Sequence, residues 1–295
     1  MNQIVVLSGK GGSGKTTICA SIAFLAAQHN PIAVVDADVD AANLALLFTL
    51  KNQQKFPFVG GVLASIDLQN CIACGMCEQV CRFAAVQQDA QGNYQIDPLS
   101  CEGCAACYYQ CPSSAIELME QQNGTWHRAE TPQGVFFDAH LFPGQENSGR
   151  LVTHIIQQAR DEANAQNIQT LLVDGPPGIG CPVIAACTNS NIALLIAEPT
   201  ITGLHDIERI FATVKHFRIP AYMVINKADI NANFNHRIQE FCAQNDIAIL
   251  AEIPFDEIAV KAMLVGKTVT EYSPQSLISQ KINKAWQQLA MRLIA

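Results

Sequence analysis

Short apolar runs alternate with amphipathic stretches along much of the chain. Ile4–Leu7 is an apolar run that ends in a glycine-rich turn. Residues 16–28 follow with helical spacing of Ile18, Ile22, Leu25 and Ala26, and Ile32–Val35 is a second apolar run ending at Asp36. This pattern predicts strand, loop, helix, strand. Further apolar runs occupy Thr170–Val173, Ile192–Ala197, Tyr222–Ile225 and Ala248–Ile253. Each stops at a polar or turn residue: Asp174, Glu198-Pro199, Asn226 or Pro254. Helical stretches lie between them at Ser148–Asn164, Leu204–His216 and Phe234–Ala243, and Leu277–Leu293 repeats Ile278, Ile282, Trp286, Leu289 and Leu293 as a terminal core helix. Buried strands alternating with helices predict an α/β fold with a mostly parallel sheet covered by helices on both faces.

One segment breaks the rhythm. Residues 64–118 are rich in Cys, Gln, Gly and Ala and fall into two similar halves, CIACGMCEQVC and CEGCAACYYQC, 30 residues apart. Such a repeat predicts a small α+β domain inserted between 1–63 and 119–295, which together form the larger domain. Residues 121–146 carry several Gly and Pro and are expected to be loops or short strands returning to the main sheet.

Composition narrows the classes. In 295 residues, 49% are hydrophobic and 15% charged, which excludes a disordered chain. Lys and Arg number 18 against 26 acids, a net charge of −8, which argues against nucleic acid or anionic lipid as a partner. No run of about 18 apolar residues exists to span a membrane, and the first residues read as a strand and not as a leader, so a cytoplasmic location is expected. Eight of the twelve cysteines lie between Cys71 and Cys111, which points to metal. The histidines show no HxxxH or HExxH spacing, against zinc-hydrolase chemistry.

Residues 9–16 read GKGGSGKT, the GxxxxGKT pattern placed after a strand and before a helix. Glycines let backbone N–H groups curl round phosphate oxygens, and the helix N-terminus adds positive potential. Gly11, Gly12, Ser13, Gly14, Lys15, Thr16 and Thr17 are the candidate phosphate-binding residues, with Lys15 on the β/γ-phosphates and Thr16 on Mg²⁺. Asp174, at the tip of the run TLLVD, reads as the acid that holds Mg²⁺ through water. Asp36, Asp38 and Asp40 form VVDADVD. A carboxylate there can take a proton or orient a water beside the γ-phosphate; Asp38 is favoured for the water, Asp36 for support, and Asp40 for capping a following helix.

Cys71, Cys74, Cys77 and Cys81 are spaced C-x2-C-x2-C-x3-C, and so are Cys101, Cys104, Cys107 and Cys111. This is the two-cluster bacterial ferredoxin pattern, in which the fourth cysteine of each run ligates the other cluster. The pattern assigns Cys71, Cys74, Cys77 and Cys111 to one [4Fe–4S] cluster and Cys101, Cys104, Cys107 and Cys81 to a second. Ala73, Gly75, Gly103, Ala105 and Ala106 are small, leaving the backbone room to approach sulfur. The first quartet exits as Cys81-Arg82, where the second has Cys111-Pro112. Zinc, which is usually held by two separated C-x2-C pairs per ion, fits the doubled quartets poorly.

The fragments SGKGGSGKTT, DADVDAANL, ENSGRLVT, VDGPPGIGCPV, GLHD and VINKAD, with the cysteine octet, resemble the MinD/Mrp/nitrogenase-iron-protein class of P-loop ATPases that carry an inserted 2[4Fe–4S] ferredoxin domain. The resemblance implies slow, Mg²⁺-dependent ATP hydrolysis and an ATP-dependent homodimer in which Lys10 reaches the partner's phosphates. It implies switch regions at Asp36–Asp38 and at Asp174–Gly178, with Gly178 sensing the γ-phosphate. It places adenine at Asn226 and Lys227, with Pro254 and Asp256 lining the base pocket. Cys181, seven residues after Asp174, stands where the nitrogenase iron protein has a cluster ligand, so it is a candidate interface ligand; a small packed thiol is the competing reading. The implied function is an ATP-gated redox protein that couples nucleotide state to electron transfer with an unnamed protein partner. A cluster carrier of the Mrp type and a positioning ATPase like MinD are the alternatives.

Overall fold

The computed structural model describes residues 1–145 and 147–294. In chain order the elements are β1 (Asn2–Ser8), α1 (Lys15–Ala26), β2 (Ile32–Asp36), β3 (Lys51–Ile66), α2 (Met76–Val80), β4 (Val86–Gln88), β5 (Tyr94–Ile96), α3 (Ala106–Gln110), β6 (Ile116–Thr131) and β7 (Gly134–Leu141). They continue with α4 (Ser148–Ala165), β8 (Thr170–Asp174), α5 (Cys181–Cys187), β9 (Ile192–Ala197), α6 (Ile201–His216), β10 (Ala221–Asn226), α7 (Ala232–Gln244), β11 (Ala248–Ile253), α8 (Ile258–Leu264), α9 (Val269–Tyr272) and α10 (Leu277–Ile294).

Nine strands form one sheet in the order β11-β10-β9-β1-β8-β2-β7-β6-β3. The pairs from β11 through to β7 run parallel. Parallel strands covered on both faces must be apolar throughout, and β1, β2, β8 and β9 are buried along almost their whole length. Helix α1 packs Ile18 and Ile22 into the same core as Ile278, Ile282, Ala285 and Leu289 of α10, so the last helix is a core element. Among the described residues no helix is long and apolar enough to cross a membrane.

The chain divides into two compact units: residues 1–56, 126–140 and 148–295 in one, and 57–125 with 141–147 in the other. The second is wider than the expected 64–118 by seven residues at each end and gains the segment after β7. The reason is β3 and β6. Each is a 16-residue strand, and each continues past the unit boundary. Residues 121–141 are accordingly the end of a long strand, a two-residue turn and an eight-residue strand, and only 142–145 form a loop. Residue 146, which ends that stretch and opens the fragment ENSGRLVT, lies outside the described residues.

The second unit repeats itself. Helices α2 and α3 are five residues each and 30 residues apart. Asp67 N donates to the Ala115 carbonyl (2.8 Å) and Asp97 N to the Ala85 carbonyl (2.7 Å), so the start of each half pairs with the end of the other. Left-handed backbone recurs with the same offset, at Ala73 and Gly103, at Gly75 and Ala105, and at Ala84 and Ser114. Three of these loop positions are alanine, where a left-handed conformation costs roughly 1–2 kcal/mol. The small residues between the cysteines therefore serve backbone geometry as well as room near sulfur.

Candidate functional site

The first site grows from the C-terminal ends of β1, β2 and β8. Register places Val6 beside Asp174 and Asp36 beside Asp174, so two acids and the phosphate loop converge at one end of the central strands. Gly12 and Gly14 take left-handed backbone (φ +81° and +87°), which only glycine adopts freely. A Cβ on Gly14 would also collide with the Asn226 amide. Gly14 precedes α1 with no side-chain cap, and the first helical bond is Ile18 N to Gly14 O at 3.0 Å. The orphan donors of the first turn are left for a ligand. Ser13 is 3% exposed, and its hydroxyl is buried without a hydrogen-bond partner among the described residues. An orphaned buried hydroxyl in a glycine loop fits a phosphate oxygen.

Asp174 is fully buried and holds both functional groups of α1. Lys15 Nζ lies 2.7 Å from Oδ1, and the Thr16 hydroxyl donates to Oδ2 at 2.7 Å. Burial works to lower the Lys15 pKa, but the charge and hydrogen bond of Asp174 outweigh it and leave the pKa raised. Asp36 has its carboxyl pushed up to about 7, by burial first and then by the neighbouring Asp174 charge. Three backbone N–H groups oppose that rise: Asp38 donates to Oδ1 (3.1 Å), and Asn43 and Leu44 donate to Oδ2 (2.9 Å each). Asp36 thus fixes residues 37–44 from within. The expected capping role of Asp40 is not seen. Asp40 is exposed, the element that follows is a 3-10 turn at Leu44–Leu47, and Asp36 takes the N–H groups that a cap would take. Asp38 is half-buried with its pKa raised by burial. Gly178 has φ +89° and open space where a Cβ would stand, and its N–H reaches the Ser8 carbonyl at 3.4 Å.

A cleft of about 770 Å³ opens beside the loop, lined by Gly12, Gly14, Thr17, Asn226, Lys227, Pro254 and Asp256. Several of these side chains have other work. Asn226 Nδ2 donates to the Ser13 carbonyl (2.8 Å), bracing the loop, and Asp256 Oδ1 accepts the Ile258 N–H (2.9 Å) at the entry to α8. Phe255, Ala259, Val260 and Met263 supply the apolar wall. These four give no sign in the sequence, because they lie on and just before a short helix with no motif of its own. Glu198 is equally silent there. Its carboxylate meets Lys10 Nζ at 3.5 Å and Lys227 Nζ at 3.3 Å, and Lys10 also reaches Thr200 and Thr202. A lone acid at a strand end carries no signal beyond the turn.

The second site lies in the cysteine unit. One hollow is lined by Cys71, Cys74, Cys77 and Cys111 together with Ile66, Tyr94 and Ile116. Another is lined by Cys81, Cys101, Cys104 and Cys107 together with Phe83, Val86 and Ile96. The thiols of Cys77 and Cys107 are pushed up by burial. At Cys111 burial pushes up too, but hydrogen bonds from Ser113 and from the Ala115 N–H (3.3 Å) leave the pKa lowered. No three of these sulfurs lie within 4.8 Å of one another among the described residues. A zinc tetrahedron needs sulfurs about 3.8 Å apart, given Zn–S near 2.3 Å. Four thiols lining each cavity are a donor set of the kind that holds an iron–sulfur cubane.

The other four cysteines stand apart. Cys181 is exposed at the first residue of α5, and Cys187, at the far end of that helix, is buried with its thiol pushed up to about 11. Cys19 and Cys242 are buried in the core.

Comparison with known proteins settles the family. Residues 4–269 match the family described as the CobQ/CobB/MinD/ParA nucleotide binding domain. The chain belongs to that family. An uncharacterized protein of Methanocaldococcus jannaschii is 31% identical over 287 residues, covering 97% of this chain and 96% of its own length. An iron-sulfur cluster carrier protein of Pyrococcus horikoshii is 22% identical over 310 residues, covering 99% of this chain and 85% of its own. The septum site-determining protein MinD of Pyrococcus horikoshii, solved with Mg-ADP, superposes with a TM-score of 0.59 at 16% identity, covering 98% of this chain and 95% of its own. The larger unit is thus a MinD-like α/β nucleotide-binding fold.

Proposed function

We propose that this member of the family is an ATP-hydrolysing dimeric switch whose nucleotide state controls electron transfer through two [4Fe–4S] clusters to a protein partner. The observation that carries the reading is the co-occurrence, in one chain, of a phosphate loop wired to a buried acid and two cavities each lined by four cysteines. Each bound cluster would supply one-electron storage.

The residues of the loop would act in sequence. MgATP would draw Lys15 from Asp174 to the β/γ-phosphates and free the Asp174 carboxylate. The Thr16 hydroxyl and Asp174 would then hold Mg²⁺, and the orphaned Ser13 hydroxyl would bind a phosphate oxygen. Asp38, already biased towards holding a proton by burial, would orient the attacking water, while Asp36 keeps its loop in place. Lys10 would leave Glu198 to reach the phosphates of a second copy. Adenine would enter the cleft between Pro254, Phe255 and Met263. In the cysteine unit, the crossed backbone pairs Asp67–Ala115 and Asp97–Ala85 would bring the last cysteine of each half to the cluster of the other.

Midpoint potentials measured anaerobically, with and without ATP, test the coupling: the reading requires a nucleotide-dependent shift or a nucleotide-dependent rate of partner reduction. The similarity to an iron-sulfur cluster carrier protein favours a second reading, in which the chain delivers a cluster. Transfer of iron and sulfide to an apo-protein on ATP addition would select it over electron transfer. The exposed Cys181 belongs to that second reading as the interface ligand, and iron content unchanged in Cys181→Ser would remove it.

A further inference from the structure

Strands β6 and β7 are joined at Pro132–Gln133, and the hairpin brings together three side chains that no motif connects. His127 stands on β6; Asp138 and His140 stand two residues apart on β7, a spacing that puts them on one face. His127 Nδ1 lies 2.6 Å from Asp138 Oδ1, and His140 Nε2 lies 4.0 Å from that oxygen. The two imidazole rings are 5.5 Å apart between centroids. One ligand atom from each of the three residues falls within 4.8 Å of the others, and this is the only such trio of His, Cys or carboxylate groups found among the described residues.

We propose that His127, Asp138 and His140 bind one divalent transition-metal ion of the zinc or ferrous class through two imidazole nitrogens and one carboxylate oxygen. Ligands at about 2.0–2.2 Å from such an ion stand about 3.3 Å from each other. The present spacings bracket that value, and His140, half exposed, has the freedom to close the gap. Asp138 is 9% exposed at its side chain and His127 26%, so two ligands are held by the fold while the third faces solvent and offers an entry path. Two nitrogens and one oxygen suit zinc, iron(II), cobalt or nickel; magnesium and calcium prefer oxygen alone. A three-residue set leaves a coordination position for water.

The position in the sheet adds to this. β7 pairs β2 in parallel, with Val35 level with Phe137, so Asp138 follows at the level of Asp36. The site lies at the end of the parallel strands where the switch aspartate sits, one strand away from it and two strands away from Asp174. It is separate from the position at which Thr16 and Asp174 would hold Mg²⁺.

The test is a zinc titration of the full chain, prepared anaerobically, comparing wild type with His140→Ala and with the double variant His127→Gln/His140→Ala. Wild type should bind one more zinc per chain than the double variant, and His140→Ala alone should weaken that site at least about tenfold. Because all three proteins carry the same cysteines, the difference between them cancels thiolate binding. Cobalt(II) in place of zinc should give a wild-type-minus-variant spectrum with visible d–d bands and no sulfur-to-metal charge transfer. Equal zinc stoichiometry and affinity in wild type and His140→Ala would overturn the proposal and leave a simple His–Asp ion pair. A difference spectrum dominated by sulfur charge transfer would overturn it too. His140 is on the surface, so its single variant decides the matter even if the double variant folds poorly.

Discussion

The two units of this chain reach order by different means. The nucleotide unit buries a continuous set of aliphatic side chains between a parallel sheet and its helices, from Ile4 and Val6 to Leu172, Ile196 and Leu289. The cysteine unit has a core of Ala64, Cys77, Val86, Tyr94 and Ile116, with four further cysteines packed against it. A core this small is too little to offset the chain entropy of about 70 residues, and small domains of this kind depend on a metal or a disulfide for the remainder. None of the cysteines of this unit is in a disulfide, and their loops take a left-handed geometry that includes alanine. The contrast teaches that one unit is held by its own aliphatic core, whereas the other, on the reading proposed above, would take its shape from the clusters it binds.

The largest expected effect breaks the comparison open. Anaerobic chelation of iron should unfold the cysteine unit, read as rapid proteolysis within residues 57–125, while nucleotide affinity of the remaining chain stays within about twofold of its starting value. Loss of nucleotide binding together with iron would show that the scaffold does not stand by itself. Next in size, Lys15→Ala should weaken ATP by roughly 100-fold through the loss of a charge-assisted contact, with iron per chain unchanged. A calorimetric titration beside an iron assay reads both. The third effect concerns pH. The Asp36 carboxyl titrates near 7 in the folded chain against 3.8 as the reference value, so the native state binds more protons than the unfolded state in between. Its contribution to stability is present below about pH 4 and is lost as pH rises towards 7, with a slope on the order of 1 kcal/mol per pH unit. Without nucleotide, the urea midpoint of wild type should fall relative to that of Asp36→Asn between about pH 4 and pH 7; a constant difference would contradict the assignment. Smallest is Glu198→Gln. Freed from its partly exposed pair, Lys10 should favour ATP-dependent dimerisation by about threefold, measured by sedimentation.

Much of this could be read from the chain because the chemistry demands fixed spacing. A phosphate loop needs its glycines and lysine in order, and the repeated C-x2-C-x2-C-x3-C spacing puts four cysteines at each of two cavities. The apolar runs that became β9 and β11 matched residue for residue; in β9, buried along its whole length, no polar position blurs the ends. What was illegible shares a physical cause. In β6 the stretch Gln121-Gln122-Asn123-Gly124 is polar, so an apolar pattern could not show a 16-residue strand. The sequence offered Asp36 as support for Asp38 without saying how; burial and its three backbone partners mark it as the clamp of its loop. Glu198 and the trio of His127, Asp138 and His140 depend on contacts made by strands that meet only after folding. For the trio, Asp138-x-His140 at strand spacing was the one local clue.

Iron and nucleotide sharing one chain is the central claim. The most direct measurement is iron and acid-labile sulfide per polypeptide after oxygen-free purification, followed by EPR of the dithionite-reduced protein in the presence and absence of MgATP. The account predicts about eight irons and eight sulfides per chain, with signals from two interacting cubanes that change when nucleotide binds. A colourless, iron-poor protein, or spectra of an iron-replete protein that are indifferent to nucleotide, would contradict it.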